Sequence, residues 1–324
     1  MGVTVQTVQT VLITGASGFL GRAVVADVLG RGLAVRALVR VLQPGAQRDG
    51  AEAVALDLAA ATPAQLAKVL AGVDVVIHLA SALSGDWDAQ KRDTLEATRR
   101  LTLAMTKSAN PPRLVLASSI AVYSADPALE GQMIDEDTPL ETAPLARDSY
   151  ARAKLAQERI ARDSGLTLTI LRPGAILGPG RVMNAHLGVG IGPLLIRLET
   201  RGEVPLVALE DCARAFALAA TGAGAGGVYN IVADICPTRA GFVAALRRGG
   251  WPRLVVPFSW RILHRLARAL APLGLSLPGL LRPATLRARM MPVRYYNARA
   301  KAGLGWQPEE AFEAAIRAAL EATP

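Results

Sequence analysis

The amino-acid sequence predicts an α/β fold, a doubly wound parallel sheet with a smaller, mostly helical C-terminal lobe. Three observations carry that expectation. Apolar runs of strand length alternate with helical patterns through the first half of the chain. A glycine-rich turn, Gly15-Ala16-Ser17-Gly18-Phe19-Leu20-Gly21, joins the first such run to the first helical pattern. A strand, a helix and a strand return late, over 204–232, after an irregular stretch. Strands separated by helices pair in parallel, because each crossover must pass back over a face of the sheet.

Taken in order, strands are expected near 11–14, 34–39, 53–56, 74–79 and 113–118, with helices near 19–30, 63–71 and 88–109. A long helix follows near 147–164 and a strand at 167–171, ending in the Pro/Gly-rich segment Arg172–Gly180. Segments 181–203 and 236–295 are rich in Pro, Gly and Arg. Between them, Pro205–Leu209, Asp211–Ala220 and Val228–Val232 read as strand, helix and strand. The sheet domain is therefore assigned 1–180 and 204–235, and the substrate lobe 181–203 and 236–324. Asp211 stands at the expected start of its helix and reads as its N-cap.

Composition excludes several functions. Half of the 324 residues are hydrophobic, yet no stretch is long and uncharged enough to span a bilayer, and the N-terminus lacks a secretory pattern. Gln6 stands where a myristoylation signal needs Ser or Thr. Two cysteines and three scattered histidines make neither a disulfide framework nor a metal site. A soluble, cytoplasmic, metal-free protein is expected. The net charge of +9 comes from arginines set along helices without a run or aromatic interleaving, so no nucleic-acid partner is expected.

Two features carry chemistry. Val11-Leu12-Ile13-Thr14 runs into the glycine turn, and an apolar helical pattern follows. Glycines let the backbone approach a pyrophosphate, and the following helix N-terminus offers N–H groups and a positive dipole end to it. The second feature is Asp148-Ser-Tyr150-Ala-Arg-Ala-Lys154, where four-residue spacing on a helix puts Tyr150 and Lys154 on one face. An ammonium near a phenol in a partly dry site favours the phenolate, which equips the tyrosine for proton exchange.

With both features placed, the chain resembles the extended short-chain dehydrogenase/reductase superfamily, also called the NAD-dependent epimerase/dehydratase family. Further motifs support the resemblance: Asp57-Leu58, His78-Leu79-Ala80-Ser81, Ser118-Ser-Ile-Ala-Val-Tyr123, Leu171-Arg-Pro-Gly174 and Ala302-Gly-Leu-Gly-Trp306-Gln-Pro308. The resemblance implies a Rossmann domain and a catalytic triad. In it Tyr150 exchanges the proton, Ser119 orients the carbonyl or hydroxyl, and Lys154 lowers the tyrosine pKa while binding the nicotinamide ribose. Gly15, Ser17, Gly18, Phe19, Leu20, Gly21, Leu79, Ala80, Ser81 and Pro173 would line the cofactor, with Asp57 and Leu58 by the adenine. Asp57 also reads as the start of a turn and Leu58 as core. His78 reads as a buried strand-end residue, and Ser118 as structural.

The second strand ends at Val39-Arg40, with no acidic residue to accept a ribose 2′-hydroxyl, whereas arginine suits a 2′-phosphate. NADP(H) is expected ahead of NAD(H), with Arg40 stacked over adenine as the opposing reading. Ile120 and Ala121 replace the Asp-Glu pair that sugar-nucleotide dehydratases resembling this chain carry. Ala175 and Val204 replace the Asn and the diphosphate-clamping Arg typical of nucleotide-sugar epimerases, for which Arg197 or Arg201 could substitute.

The expected activity is therefore ketone reduction or alcohol oxidation on a fairly apolar small molecule. Nucleotide-sugar epimerisation is the alternative, and a non-catalytic nucleotide-binding subunit the second. The region after residue 236 is similar to 3β-hydroxysteroid dehydrogenase-like and dihydroflavonol reductase-like relatives. Within it a helix over 260–271 aligns Ile262, Leu263, Leu266, Ala269 and Leu270, with Leu273–Leu281 following. Core packing is the leading reading of that stripe, ahead of a substrate pocket and membrane contact. Relatives of this fold pair through helices equivalent to 88–109 and 147–164, so a homodimer is expected.

Overall fold

The computed structural model describes residues 9–42, 50–183, 185–270 and 282–322. The chain runs β1 (Thr10–Thr14), α1 (Phe19–Gly30), β2 (Ala34–Val39), β3 (Ala51–Ala55), α2 (Pro63–Leu70), β4 (Val75–His78), α3 (Trp87–Gln90), α4 (Ala97–Thr106) and β5 (Arg113–Ala117). There follow β6 (Met133–Ile134), α5 (Ser149–Asp163), β7 (Leu168–Pro173), β8 (Ala175–Leu177), β9 (Gly188–Ile191), β10 (Leu194–Arg197), β11 (Leu206–Ala208), α6 (Leu209–Ala220) and β12 (Val228–Ile231). The chain continues through α7 (Arg239–Arg248), β13 (Leu254–Pro257), α8 (Trp260–Leu270), α9 (Pro283–Met290), β14 (Arg294–Tyr295), α10 (Ala298–Leu304) and α11 (Phe312–Glu321).

Seven strands form one sheet in the order β12-β7-β5-β4-β1-β2-β3, every pair parallel. Both faces are covered, which is why β1 reads as a continuous apolar run rather than an alternating one. Val11 and Ile13 pack towards α1 and α6 with Val24, Val28 and Phe216. Leu12 points to the other face and joins Leu101, Met105 and Ala161 from α4 and α5. Chain order reverses between β1 and β4, and their carboxyl ends open a crevice there.

The helix expected over 88–109 starts at Trp87, capped by Asp86, and ends at Thr106. A π-helical turn at Lys91–Glu96 interrupts it, which no periodicity in the sequence marks. The irregular segments resolve partly into a small sheet, β13-β10-β9, whose four-residue strands lie between glycines and prolines. Leu195 and Val255 from its inner face pack on Phe242 and Leu246 of α7.

Two expectations are corrected. Asp211 is not the cap of α6: that helix starts at Leu209 with Ala208 at its N-cap. The Asp211 carboxylate, almost fully buried, instead accepts the backbone N–H groups of Glu309 (3.0 Å) and Glu310 (3.1 Å) and pairs with Arg214. Trp306 Nε1 donates to the Asp211 carbonyl at 2.8 Å, so the Gly-Leu-Gly-Trp segment is fastened to α6. Of the described residues of the α8 stripe, only Leu263 packs on the core, half-buried against Trp260 and Leu286. Ile262 and Leu266 are 50% and 52% exposed, while Trp260, His264 and Ala267 are buried. Leu273–Leu281 lie outside the described residues.

Replacing Asp211 with alanine removes the acceptor of two backbone amides and leaves Arg214 only its pairing with Glu309. Asp211→Ala is expected to cost about 2–4 kcal/mol in denaturant unfolding, with hydrogen exchange rising first over residues 305–311.

Candidate active site

The turn after β1 is tight because its glycines leave room for nothing else. Gly15 has φ of 69°, and a Cβ there would lie 3.0 Å from the Ala80 nitrogen. A Cβ at Gly21 would lie 2.1 Å from the Gly15 carbonyl oxygen, so α1 could not start this close to β1. Gly18 is the N-cap of α1 and supplies no side-chain cap, so the first-turn N–H groups face the crevice. That cradle suits a phosphate group and fits a dinucleotide.

One cleft of about 700 Å³ gathers every site residue expected from the sequence. It runs from Gly15, Ser17, Gly18, Phe19, Leu20 and Gly21 past Arg40, Asp57 and Leu58 on one side. Leu79, Ala80 and Ser81 form the other side, and Ser119, Tyr150, Lys154 and Pro173 lie beyond. Asp57 starts a turn, its Oδ1 accepting from Ala59 N at 3.0 Å, and Leu58 is buried in the core, while both residues line the cleft. Arg40 projects with 71% of its side chain exposed, 3.8 Å from Asp93.

Ser119 and Tyr150 meet at the centre. Ser119 caps a 3₁₀ turn over Ile120–Val122, accepting from Ala121 N at 3.2 Å, and its hydroxyl is near enough to Tyr150 to lower that phenol's pKa. Asp148 caps α5 through Ala151 N at 2.8 Å and so fixes the helix start at Tyr150. Desolvation raises the Tyr150 pKa, against which the Ser119 hydroxyl pulls down; Asp148 raises it and Arg289 lowers it. This differs from the sequence expectation. The Lys154 ammonium stands 5.9 Å from the Tyr150 ring centre and donates instead to Ala117 O (2.7 Å), Gln157 Oε1 (3.0 Å) and Ser81 Oγ (3.2 Å). Burial pulls its pKa down to about 7, with Glu158 opposing.

Behind Lys154 lies a closed buried network. Gln157 Nε2 donates to Thr98 Oγ1 at 3.0 Å, and Thr98 Oγ1 donates to Thr94 O at 2.6 Å. Thr98 Oγ1 must therefore also accept from His78 Nε2, 3.0 Å away. Thr14 Oγ1 accepts from Ala80 N and donates to His78 Nδ1, 2.7 Å away. These partners assign His78 as the neutral Nε2–H tautomer. Burial, with Lys154 assisting, pushes its pKa down to about 3, which agrees. His78 is structural, as read from the sequence.

A second network fastens α5 to the sheet. Arg172 grips Glu158 through two bonds, of 2.9 and 2.8 Å, and Ser118 Oγ donates to the same carboxylate at 2.5 Å. Arg172 Nη1 also donates to Tyr123 Oη (3.1 Å), which donates to Asn230 Oδ1 on β12 (2.6 Å). Burial works to raise the Glu158 pKa, but the Arg172 bonds and charge hold it below the usual range.

Beyond Tyr150 the cleft turns apolar, lined by Ile120, Ile134, Ala175, Met291 and Val293, with Arg147, Arg289 and His186 among its polar walls. Arg289 reaches Asp148 at 3.1 Å. Arg239, buried, holds this end together by donating to the carbonyls of His186 (3.0 Å), Arg289 (2.8 Å) and Arg201. Neither Arg197 nor Arg201 is among the lining residues, and Val204 is wholly buried. Sequence reading missed Arg289, which lines the cleft, Arg239, which braces it through backbone carbonyls, and the capping role of Asp148.

The Glu158 bonds carry a pH signature. A carboxylate whose folded pKa is depressed contributes stability that is full above the unfolded value of about 4.3 and is lost as pH falls through the folded one. Glu158→Gln is expected to cost about 3–5 kcal/mol near neutral pH by chemical unfolding. The gap to the parent protein should narrow as pH drops below about 4; a gap independent of pH would contradict the pairing.

Comparison with known proteins follows the fold and the cleft. The chain is 31% identical over 214 residues to dTDP-6-deoxy-L-talose 4-dehydrogenase (NAD(P)(+)) of Kitasatospora kifunensis, covering 62% of this chain and 64% of that protein. It is 32% identical over 179 residues to 2-alkyl-3-oxoalkanoate reductase of Stenotrophomonas maltophilia, 52% of each. The chain thus spans about half to just under two thirds of the length of these curated relatives. Among solved structures, MoeE5 in complex with UDP-glucuronic acid and NAD superposes with a TM-score of 0.72 at 22% identity, covering 96% of this chain and 98% of that one, a likeness of fold. The sequence profile of the NAD dependent epimerase/dehydratase family matches residues 11–232, and the chain belongs to that family.

Proposed function

We propose that the protein is an NADP(H)-dependent oxidoreductase that reduces a ketone, or oxidises the corresponding secondary alcohol, of a fairly apolar small molecule. One observation carries the reading: Ser119, Tyr150 and Lys154 line one cleft together, where the glycine cradle gives way to its apolar end.

The cradle of Gly15–Gly21 would hold the pyrophosphate, Asp57 and Leu58 the adenine side, and Arg40 the 2′-phosphate as an exposed cation. When bound, the reduced nicotinamide supplies the hydride. Ser119 holds the carbonyl oxygen by a hydrogen bond, and Tyr150 passes its phenolic proton to that oxygen. A phenol raised in pKa stays protonated at neutral pH, which suits it as the acid in the reductive direction. Lys154 keeps its position at the cleft floor through Ala117, Ser81 and Gln157. Likeness to a 2-alkyl-3-oxoalkanoate reductase supports an apolar ketone.

Epimerisation of a nucleotide sugar is the second reading, favoured by the arginines at the far end of the cleft, which could clamp a diphosphate.

Tyr150→Phe is expected to lower turnover about 10²–10⁴-fold while leaving NADPH affinity, read by nicotinamide fluorescence, nearly unchanged. Unaltered turnover would refute the role of Tyr150. Arg40→Ala is expected to weaken NADPH binding by about tenfold and NADH binding hardly at all, in line with loss of one charge-assisted hydrogen bond. Equal loss for both cofactors would favour stacking over adenine instead.

A further inference from the structure

The small sheet β13-β10-β9 buries only one face. Its inner face carries Leu195 and Val255, packed on α7, and Gly190, where an added Cβ would meet the Trp251 ring at 3.0 Å. Alternation along each strand therefore sends Val189 and Ile191, Leu194 and Ile196, and Leu254 and Val256 outwards. The register confirms that these six share a face: Leu194 lies beside Leu254 and Ile191, and Ile196 beside Val256 and Val189. All six are apolar, and Ile191, Leu254 and Val256 are 58%, 59% and 41% exposed.

The patch continues onto α8. Ile196 packs against the cluster of Leu198, Trp260, Leu286 and Met290 at the root of that helix, and the exposed Ile262 and Leu266 extend from it. Charge is distributed as unevenly as apolar surface. Between residues 235 and 308 the sequence holds thirteen basic residues and no acidic one; with +9 for the whole chain, the other 250 residues carry a net −4. Exposed Arg253, Arg265 and Arg268 stand beside the apolar side chains just named.

We infer that this face of the C-terminal lobe docks on the surface of an anionic lipid bilayer. An exposed apolar patch ringed by arginines matches acyl chains beneath negative headgroups. A second copy of the same face fits less well, because it would set arginines against arginines. A nucleic acid would leave the apolar sheet face unmatched. Docking is peripheral: among the described residues no helix is long and apolar enough to cross a membrane. The opening it serves is close, since α8 packs on α9, whose Ala288 and Arg289 line the cleft.

The test is co-sedimentation of the full chain with vesicles of phosphatidylcholine alone and of phosphatidylcholine with phosphatidylglycerol. The parent protein should pellet with the anionic vesicles and stay in solution with the neutral ones. The double variant Val256→Glu/Leu266→Glu should bind anionic vesicles about tenfold or more weakly, and Arg265→Glu/Arg268→Glu should lose the preference for phosphatidylglycerol. All four side chains are exposed, so melting temperatures should stay unchanged. Equal binding to both vesicle types, no binding to either, or parent-like binding by the double variants would overturn the inference. A dimer broken by Val256→Glu without vesicle binding would assign the face to a second copy.

Discussion

The buried grip of Arg172 on Glu158 is the constraint on which the site depends. It joins the middle of α5 to the end of β7, while Ser118, at the end of β5, donates to the same carboxylate. The strands β5 and β7 and the helix α5 between them in sequence are thereby held at one depth. Tyr150 lies two turns before Glu158 on α5 and Ser119 directly follows Ser118, so this junction fixes how the two hydroxyls meet. Replacing such a pair with apolar residues of similar volume need not reduce stability; its stronger effect is to make any other register of helix and sheet strand a buried charge. The extension through Tyr123 to Asn230 brings the late strand β12 under the same constraint.

Around that junction the site is built from cations and neutral groups that burial has weakened. Lys154 is pulled to about 7 and Arg239 to about 10, and His78 and His186 to about 3, each with burial as the leading cause. Both histidines are therefore neutral in the physiological range. Lys154 is held by three oxygen acceptors, which favour its charged form against the cost of burial. In the proposed reaction such a residue sits poised rather than spent, because anionic groups brought into the cleft would restore its charge.

The sheet and the cleft floor were legible in the sequence because each depends on local signals. A strand, a glycine turn and an apolar helical pattern stand in unbroken order around Gly15–Gly21, and Tyr150 and Lys154 lie on one helix. What failed did so for tertiary reasons. Asp211 looks like a cap from its neighbours, but its carboxylate is claimed by the amides of Glu309 and Glu310, about a hundred residues away. The α8 stripe has core periodicity, yet only its Leu263 joins Trp260, His264 and Ala267 in facing inward, and Ile262 and Leu266 are exposed. Arg239 and Arg289 were invisible because neither belongs to a motif, and their partners are backbone carbonyls or distant carboxylates. The ammonium expected beside Tyr150 is directed to Ala117 and Gln157 instead, a choice of rotamer that spacing cannot reveal.

The central claim is net hydride transfer to an apolar ketone, and the most direct test is stoichiometry. The purified protein would be supplied with NADPH and a panel of apolar ketones, with cofactor oxidation followed by absorbance and alcohol formation by chromatography. The proposed function predicts equimolar loss of NADPH and gain of alcohol for at least one ketone. Interconversion of a nucleotide sugar without net change in the nicotinamide, and no oxidation with any ketone, would contradict it.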